Sequence, residues 1–389
     1  MLPEKQFLNR KYVVVGSGLF GSVIAERIAK VLNQKVLVIE QRPHVGGNCH
    51  SFLEPETQIE IHTHGTHIFH TKNPRVWNYI TGFSSFTNYQ HKVLTQHGNR
   101  VYFMPISLAT INSFYGLNLK PYEVEAFIRK ESASANISEP RNLEEKAISM
   151  VGQPLYKAFI REYTTKQWGM DPKLLPADII TRLPVRMNYN ANYFNDLYQG
   201  MPVDGYFKLF ERLLSHPNIS VELNCNYFSV RELIPKDCLV VYTGPIDQFF
   251  DYCHGMLEWR SLRFETEIKP VQDFQGTSVM NYADSEVPYT RIHEFKHLHP
   301  ERDKPFSFPK TVLYKEYPTA RLDLAQERYY PVNTAKNQAL FLKYKDQSSH
   351  SNGIVMGGRL GDYRYLDMDQ TIASALETFE TKILPRKSA

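Results

Sequence analysis

The stretch that decides the fold reads Tyr12-Val-Val-Val-Gly-Ser-Gly-Leu-Phe-Gly21. Its first four residues are apolar and mostly β-branched, which predicts a short buried strand. The glycines that follow match G-x-G-x-x-G, and residues 22–32 have the apolar spacing of a helix. Val36-Leu-Val-Ile39 predicts a second buried strand. The chain therefore opens with a β-α-β unit about 30 residues long, which is typical of a Rossmann-type nucleotide fold.

Each glycine of this loop has a distinct physical role in nucleotide binding. Gly16 permits a tight turn, Gly18 lets the backbone approach a pyrophosphate, and Gly21 lets helix and strand pack closely. The N-terminus of the helix then favours an anion. Glu40 follows the second strand, where a carboxylate can accept hydrogen bonds from ribose hydroxyls. A solvated strand-end charge is the alternative interpretation of Glu40, and the context favours the nucleotide.

A second glycine turn favours FAD over NAD as the expected cofactor. After Glu40, the sequence Gln41-Arg-Pro-His-Val-Gly-Gly-Asn48 places an arginine and a double glycine behind the acid. Far along the chain, Gly357-Gly-Arg359 follows another predicted strand, residues 353–356. Both turns resemble the FAD enzymes that include the amine oxidases. The sequence therefore predicts FAD.

Composition limits the remaining possibilities. The chain has 389 residues, which suggests two or three domains, and its net charge of +4 argues against a nucleic-acid partner. Four scattered cysteines without a C-x-x-C pair predict neither a disulfide framework nor a zinc site. No apolar run approaches the roughly 20 residues of a membrane helix, and no signal peptide is recognised. We expect a cytoplasmic protein without membrane insertion.

The pattern of the later segments predicts a mixed α/β and α+β architecture. We expect a discontinuous Rossmann-type FAD-binding domain with an inserted helical domain and an inserted antiparallel sheet domain. The FAD-binding domain is assigned to residues 1–82, 203–248 and 331–389. The helical domain, with a substrate lid, is assigned to 105–178. The sheet domain, on the substrate side, is assigned to 83–104, 179–202 and 249–330, and within it residues 297–309 are predicted to form an exposed loop.

Four histidines, His62, His64, His67 and His70, lie within nine residues of one another. A metal site is one interpretation, but no cysteine or paired carboxylate completes a ligand set at a usual spacing. If the segment is a strand, alternation also sends some of these side chains to opposite faces. We predict no metal site, and interpret His67 and His70 as lining a flavin pocket.

An ordered set of motifs resembles the bacterial UDP-galactopyranose mutase family. The resemblance extends from about residue 12 to residue 370. Besides the first glycine loop, it is carried by Gly65-Thr-His-Ile-Phe-His-Thr71, Tyr163-Thr-Thr-Lys-Gln-Trp-Gly169, Leu183-Pro-Val-Arg186, Tyr242-Thr-Gly-Pro-Ile-Asp247, Pro288-Tyr-Thr-Arg291, Lys315-Glu-Tyr-Pro318, Tyr329-Tyr-Pro-Val-Asn333, Gly357-Gly-Arg-Leu360 and Tyr363-Arg-Tyr-Leu-Asp-Met368.

This resemblance implies an isomerase that interconverts UDP-galactopyranose and UDP-galactofuranose. It implies that N5 of reduced FAD attacks the sugar's anomeric carbon, that UDP leaves, and that the ring opens through a flavin iminium. FAD is then active only when reduced, so NAD(P)H or another reductant is expected. The resemblance further implies a homodimer that supplies galactofuranose for cell-surface glycans.

The same resemblance assigns site residues. Catalytic roles are implied for Arg182, Arg291, His67 and His70. FAD contacts are implied for Gly16, Gly18, Phe20, Gly21, Glu40, Gln41, Gly47, Asn48, His67, Gly358, Arg359, Asp367 and Met368. Substrate contacts are implied for Asn88, Phe159, Tyr163, Thr164, Trp168, Arg182, Tyr193, Asn281, Arg291, Tyr330, Tyr365 and Asp367. For each aromatic residue, ordinary core packing is the alternative.

Two rival functions share parts of these patterns. An FAD-dependent oxidoreductase of the amine oxidase type would need both glycine turns, but not two diphosphate arginines surrounded by tyrosines. A flavin-loaded sugar-nucleotide binding protein would bind UDP without turnover. Histidine at position 70, where some relatives carry arginine and accept N-acetylated sugars, favours plain galactose.

Overall fold

The computed structural model describes residue 7 and residues 10–182, 184–320 and 326–385, without the side chains of Thr181 and Arg182. Its strands are β1 (Tyr12–Val15), β2 (Val36–Ile39), β3 (Ser51–Leu53), β4 (Glu60–His62), β5 (Phe69–Thr71), β6 (Val93–His97), β7 (Arg100–Met104), β8 (Tyr198–Gly200), β9 (Ile219–Glu222), β10 (Leu239–Tyr242), β11 (Trp259–Lys269), β12 (Val279–Tyr282), β13 (Arg291–Glu294), β14 (Thr311–Ala320), β15 (Tyr330–Pro331) and β16 (Ile354–Met356).

The α-helices are α1 (Leu19–Val31), α2 (Pro74–Ile80), α3 (Leu108–Tyr115), α4 (Pro121–Ala133), α5 (Leu143–Val151), α6 (Gln153–Leu155), α7 (Glu162–Trp168), α8 (Tyr206–Leu213), α9 (Tyr227–Val230), α10 (Ile246–Phe249), α11 (Asp303–Ser307), α12 (Ala335–Ser349), α13 (Gly358–Gly361) and α14 (Met368–Thr378). Two π-helical segments cover Tyr156–Arg161 and Phe379–Ile383. Short 3₁₀ turns cover Gly47–Cys49, Pro172–Leu174, Ala177–Arg182, Arg231–Leu233 and Phe295–Leu298. Within the described residues, no helix combines the length and apolarity needed to cross a bilayer.

A five-stranded parallel sheet carries the nucleotide fold. Its order is β16-β10-β1-β2-β9, and its strands come from three separate stretches of the chain. The central strand β1 pairs on both sides, with Val14 opposite Val38 on β2 and opposite Val241 on β10. These side chains are all buried, as expected for a parallel sheet covered on both faces. The predicted Rossmann-type sheet is confirmed.

Helix α1 packs one face of this sheet and begins three residues earlier than predicted. Val23, Ile24 and Ile28 are fully buried in the main hydrophobic core, as the apolar spacing indicates. The helix starts directly after Gly18, whose backbone is extended. Because no polar N-cap marks this start in the sequence, the periodicity alone placed it too late. The consequence is that the first turn of α1 opens directly from the glycine loop.

A seven-stranded sheet forms the second layer of the site. Its order is β15-β11-β14-β13-β12-β6-β7, antiparallel except between β12 and β6. The long strands β11 and β14 pair over ten residues, from Arg260 opposite Ala320 to Lys269 opposite Thr311. On the neighbouring strands, Asn281 lies opposite Arg291. Residues directly opposite each other share a face, so this register brings two predicted substrate residues together.

The helical region has its own hydrophobic core. Leu108 of α3, Val124 of α4 and Leu143 of α5 are almost completely buried there. The π-helical segment Tyr156–Arg161 leads without a break into α7. Such segments occur frequently at functional sites. The helical character predicted for residues 121–168 is confirmed, and α7 carries Tyr163 and Trp168 to the edge of the site.

The prediction of an exposed loop at residues 297–309 holds for the exposure of much of residues 300–309, but it is wrong about the absence of regular structure and about the first residues. The segment begins within the 3₁₀ turn Phe295–Leu298 and contains α11, and both Leu298 and His299 are buried. The reason is Lys296, a buried lysine whose ammonium donates to the carbonyl oxygens of Gln272, Phe306, Phe308 and Lys310. A cation that is held by backbone carbonyls folds a Pro- and Lys-rich stretch onto the sheet.

Candidate active site

A long groove runs along the carboxyl ends of the parallel strands. Loops that follow β1, β2, β9, β10 and β16 line it, and it encloses about 1280 Å³, including space open to solvent. In open parallel sheets, ligands bind outside the carboxyl ends of the strands. The groove therefore lies where the fold predicts a nucleotide.

The start of α1 is suited to a pyrophosphate. The first backbone N–H groups of a helix have no partners within the helix. Here no side chain caps them and the first turn has no acidic residue, so they can bind an external anion. A Cβ atom on Gly16 would lie 2.2 Å from Oγ1 of Thr243, and a Cβ on Gly47 would lie 2.9 Å from Cα of Gly18. Side chains at these positions would fill the approach to the helix. The absence of side chains leaves room for an anion at an electropositive helix end.

Glu40 is held rigidly at the edge of the groove. Its Oε2 accepts hydrogen bonds from the backbone N–H and the hydroxyl of Ser17, both at 2.9 Å, and its Oε1 accepts from the backbone N–H of Arg42 at 3.0 Å. A carboxylate has about four acceptor positions, so it can also accept from a ribose. The Arg42 guanidinium donates to Asn48 at 3.1 Å and pairs with Glu327. This pair closes one side of the groove.

Most of the residues predicted to contact FAD line this groove. Asp367 is the exception, because it precedes α14 and forms a capping box with Gln370. Sequence reasoning did not identify several further lining residues, including Cys225, Asn226, Tyr227, Phe228, Thr243, Glu327 and Arg328. Residues 225–228 follow β9, a strand that was not recognised. Their position after a strand of the same sheet is the signal that would have found them.

Two neutral imidazoles support the flavin side of the groove. His67 donates from Nδ1 to the carbonyl oxygen of Gly65 at 2.8 Å, and its backbone N–H donates to Nδ1 of His62 at 3.0 Å. Burial lowers the pKa of His62 to about 3 and that of His67 to about 4. His67 lines the groove. The hydrogen bonds fix both tautomers, because a carbonyl only accepts and an N–H only donates.

The other two histidines of the cluster have separate partners. His64 Nδ1 lies 2.6 Å from the Tyr329 hydroxyl, while His70 Nδ1 lies 2.5 Å from Oδ2 of Asp196. The His70 ring also stacks on Phe194 at a centroid distance of 3.6 Å. The four imidazoles therefore do not converge on one point.

One group of three potential ligands does converge within the described ranges, at Asp273, Glu294 and His297. Glu294 already accepts hydrogen bonds from the backbone N–H groups of Phe274 and Gln275, at 3.0 and 2.9 Å. It also accepts from the Thr311 hydroxyl at 2.7 Å. His297 Nε2 in turn lies 3.1 Å from Oδ1 of Asp273 and 3.6 Å from Oε2 of Glu294, so the group is accounted for as a structural ion-pair contact.

Of the two arginines predicted on the substrate side, Arg291 is the one whose side chain lies in the described part of the chain. Its guanidinium donates to the Tyr163 hydroxyl and lies 3.5 Å from Oε1 of Glu316. Glu316 is buried and also contacts His293 Nε2 at 3.1 Å. Burial alone would lower the pKa of Arg291, but the attraction to Glu316, together with the contributions of Tyr163 and Tyr330, outweighs burial and raises the pKa. The side chain keeps 29% of its surface exposed, so part of a permanently charged guanidinium can be reached from outside the fold.

Aromatic residues connect Arg291's surroundings to the groove. The Tyr330 and Tyr365 rings stack at 5.8 Å, and Trp168 of α7 lies 6.4 Å from Tyr330. The Arg359 guanidinium lies 4.6 Å from the centre of the Tyr365 ring and also lines the groove. Arg291 also lies close enough to Tyr330 for the two groups to influence each other's pKa. Two cations and two tyrosines are therefore neighbours beside the cofactor groove.

The remaining predicted substrate residues occupy different environments. Asn281 has a buried Oδ1 that accepts no hydrogen bond from any described residue, so it is available to a ligand. Tyr193 packs against His91 at 5.5 Å, and Asn88 is exposed. Thr164 is buried, and Phe159 is buried between Tyr102 and Phe114, which is the core packing weighed as the alternative. Arg182 ends the 3₁₀ turn Ala177–Arg182, and its side chain lies outside the described part of the chain.

Comparison with known proteins gives a consistent result along the chain. A family model described as UDP-galactopyranose mutase matches residues 158–365, and one described as an NAD(P)-binding Rossmann-like domain matches residues 14–83. A curated probable UDP-galactopyranose mutase of Klebsiella pneumoniae is 42% identical, with 95% of this chain and 94% of that protein covered. A dTDP-fucopyranose mutase of Escherichia coli is 40% identical, with 97% and 99% covered.

A solved structure of reduced UDP-galactopyranose mutase shares the fold. It superposes with a TM-score of 0.71 at 14% identity and covers 98% of this chain and 95% of its own. The groove fits FAD through its uncapped helix end, its glycine turns and Glu40, and FAD is the cofactor. The chain belongs to the UDP-galactopyranose mutase family and is an FAD-containing isomerase.

Proposed function

We propose that this protein interconverts UDP-galactopyranose and UDP-galactofuranose. The observation that carries the proposal is Arg291, held between Tyr163 and Glu316. Tyr330 and Tyr365 lie between it and Arg359, which lines the FAD groove. Family membership favours this reaction over the hydride transfer of an amine oxidase type enzyme.

Exchange of the two ring forms requires the bond between the anomeric carbon and UDP to break. The leaving diphosphate carries a charge of about −2, which a guanidinium stabilises through paired hydrogen bonds. Arg291 supplies this charge, and the proposal gives the same role to Arg182. Reduced FAD, when bound, supplies the nucleophile for the anomeric carbon.

The tyrosines contribute hydroxyl donors. Burial raises the pKa of Tyr163 and of Tyr330, so both hydroxyls keep their protons at neutral pH. A protonated hydroxyl can donate to a diphosphate oxygen, whereas a phenolate would repel it. Tyr365 stacks on Tyr330 and extends the same surface. Trp168, the last residue of α7, lies beside Tyr330 and would shield this surface from water.

A second candidate substrate pair is dTDP-fucopyranose and dTDP-fucofuranose. The relative with this activity matches nearly the whole chain, at an identity close to that of the UDP-galactopyranose relative. The two substrates share the diphosphate and differ at the sugar's sixth carbon, at the base methyl group and at the ribose 2′-hydroxyl. Arg291 and the tyrosines serve either diphosphate equally. Selectivity between the two substrates therefore depends on contacts with the sugar at one end and with the nucleoside at the other, and it must be measured.

The deciding experiment gives dithionite-reduced, FAD-loaded protein each furanose separately. The pyranose product is measured by chromatography of the nucleotide sugars, and kcat/KM is compared. We expect UDP-galactofuranose to be preferred by at least about tenfold, which is about 1.4 kcal/mol of transition-state stabilisation. A reversed preference would assign the fucose nucleotide. No conversion of either sugar would contradict the proposal.

The proposal includes the remaining expectations from the sequence. These are a cytoplasmic homodimer, reduction by NAD(P)H or another reductant, and supply of galactofuranose for cell-surface glycans. Size-exclusion chromatography with light scattering measures the dimer. Anaerobic reduction by NADPH, followed through the loss of flavin absorbance, measures the reductant.

A further inference from the structure

Lys166 makes an unusual set of contacts for a lysine on a short helix. It lies on α7, and its ammonium donates to four backbone carbonyl oxygens, which are those of Tyr282 at 2.8 Å, Asp284 at 2.8 Å, Val287 at 2.9 Å and Tyr289 at 3.1 Å. An ammonium has three N–H donors and no acceptor, so four converging carbonyls saturate it. No donor is left for a ligand.

All four carbonyls belong to the connection between β12 and β13. That connection begins at Tyr282, the last residue of β12, and ends at Arg291, the first residue of β13. Lys166 therefore ties α7 to the segment that leads directly into the diphosphate arginine.

A second tie joins the same two elements. Tyr163 lies three residues before Lys166, on the same side of the helix, and its hydroxyl accepts from the Arg291 guanidinium. The Lys166 ammonium and the Tyr163 hydroxyl thus fasten α7 to the β12–β13 connection at two points. With both in place, the position of the Arg291 fork relative to Tyr163 is fixed.

A third contact fixes the end of the helix. The Arg260 guanidinium of β11 donates from Nε to the carbonyl oxygen of Gln167 at 3.1 Å. A Cβ on Gly169 would lie 2.7 Å from this guanidinium, so α7 ends against Arg260. Arg260 fixes α7 to β11, whereas Lys166 joins it to the strand connection and Tyr163 joins it to Arg291 itself.

We propose that Lys166 is a positioning residue for diphosphate binding, which holds Tyr163 and Arg291 in their mutual geometry without contacting the substrate. This inference rests on the proposed function, because it assigns the diphosphate to Arg291. We therefore expect loss of the ammonium to weaken UDP binding and to slow turnover. If Lys166 only stabilised the fold, its replacement would change the free energy of unfolding and leave UDP affinity and turnover unchanged.

The test compares Lys166→Met with the wild type and with Lys157→Met, an exposed lysine in the adjoining π-helical segment. FAD content is measured from visible absorbance, UDP affinity by calorimetric titration, and kcat and KM per bound FAD. For Lys166→Met we expect normal FAD content, UDP binding weaker by about tenfold, a raised KM and a lowered kcat. Lys157→Met should match the wild type. Lys166→Arg, which keeps the cation, should recover part of the affinity.

A double-mutant cycle with Tyr163→Phe tests the route of the effect. If Lys166 acts through the Tyr163–Arg291 pair, the loss from Lys166→Met should shrink from about tenfold to about twofold in the Tyr163→Phe background. Full additivity would overturn the inference. Wild-type UDP affinity and kcat in a less stable Lys166→Met would also overturn it.

A substitute variant and a measurement without turnover allow the result to be interpreted in every case. If Lys166→Met does not fold, Lys166→Gln replaces it, because the amide keeps two donors without the charge; the same loss of UDP affinity is expected, and wild-type affinity contradicts the inference. UDP titration needs no turnover, so it tests the positioning role of Lys166 independently of the proposed isomerase function. Wild-type protein that turns over neither furanose refutes the proposed function, whereas normal UDP binding by an active Lys166 variant refutes only the positioning role.

Discussion

Burial sets the protonation state of His62 and His67 beside the groove. Neither ring can accept a proton at neutral pH, because charging a buried imidazole costs more than the nearby Glu60 carboxylate returns at 3.9 Å from His62. His62 can therefore accept the backbone N–H of His67 with Nδ1. Two neutral rings keep the turn before β5 in place.

The depressed pKa of His62 predicts acid sensitivity. Unfolding raises its pKa from about 3 to the usual 6.5, so the unfolded chain binds more protons and stability falls as pH drops from 6.5 toward 3. Urea unfolding at several pH values between 6 and 4.5 gives the free energy of unfolding as a function of pH. We expect this dependence to be less steep in His62→Gln than in the wild type, by about 1.4 kcal/mol per pH unit. The glutamine oxygen still accepts from His67 but does not titrate. An unchanged slope would show that His62 does not stay neutral.

Arg291→Lys separates charge from geometry at the diphosphate cation. Lysine keeps the positive charge but cannot reproduce the guanidinium fork that contacts Tyr163 and Glu316. We expect kcat/KM of the reduced enzyme to fall at least about tenfold with FAD content unchanged. Arg263→Lys is the matched control, because Arg263 is an exposed arginine of the same sheet that pairs with Glu265. Equal activities of the two variants would remove Arg291 from its proposed role.

At the level of elements, the sequence predicted the strands with continuous apolar runs and missed a half-exposed one. β1 and β2 begin and end as predicted, whereas β9 was not recognised. Its residues, Ile219-Ser-Val-Glu222, are all partly exposed at the edge of the sheet. Apolar and polar residues alternate over only four positions, and such a short pattern is difficult to distinguish from a loop. The lining residues after β9 were missed for the same reason. The error at residues 297–309 has another cause, since no local pattern reveals the carbonyl contacts of Lys296.

The contact between two glycine turns offers a test of the pyrophosphate cradle. Gly47 has a φ of +55°, and a Cβ there would approach Cα of Gly18 at 2.9 Å, whereas Gly98 has the same φ with nothing within 4 Å. Both alanine variants carry a similar backbone strain, so they differ only in the space that the methyl group meets. We expect purified Gly47→Ala to lose most of its bound FAD and Gly98→Ala to retain it, by visible absorbance. Equal FAD content would contradict this position of the cradle.

Across the whole molecule, the site depends on contacts between residues far apart in sequence. Tyr163 meets Arg291 across 128 positions, and Arg42 meets Glu327 across 285. Spacing in the sequence located the glycine loop and Glu40, which act within one β-α-β unit. It could not bring Tyr163 and Arg291 together; only the family resemblance pointed to both. The partners that hold them, Glu316 and Lys166, are revealed by the three-dimensional contacts alone.

Removal of FAD should destabilise the entire nucleotide fold. The groove is lined from five strand ends, so a bound cofactor connects loops that otherwise contact water. Free FAD at about 100 times its dissociation constant should raise the free energy of unfolding by about 2.7 kcal/mol over the apoprotein. Thermal unfolding with and without added FAD measures the shift. Riboflavin, which lacks the pyrophosphate and the adenosine ribose, should give little stabilisation, and an equal effect would contradict the roles of α1 and Glu40.

The central claim is that this chain is an isomerase in which Arg291 and the cofactor in the FAD groove act together on a sugar nucleotide. The most direct test incubates UDP-galactofuranose with the FAD-loaded protein, once oxidised and once reduced by dithionite, and measures UDP-galactopyranose by chromatography. We predict formation of the pyranose by the reduced protein and at least a hundredfold slower conversion by the oxidised protein, about 2.7 kcal/mol in activation free energy. No pyranose in either state, or equal rates in both, would contradict the account.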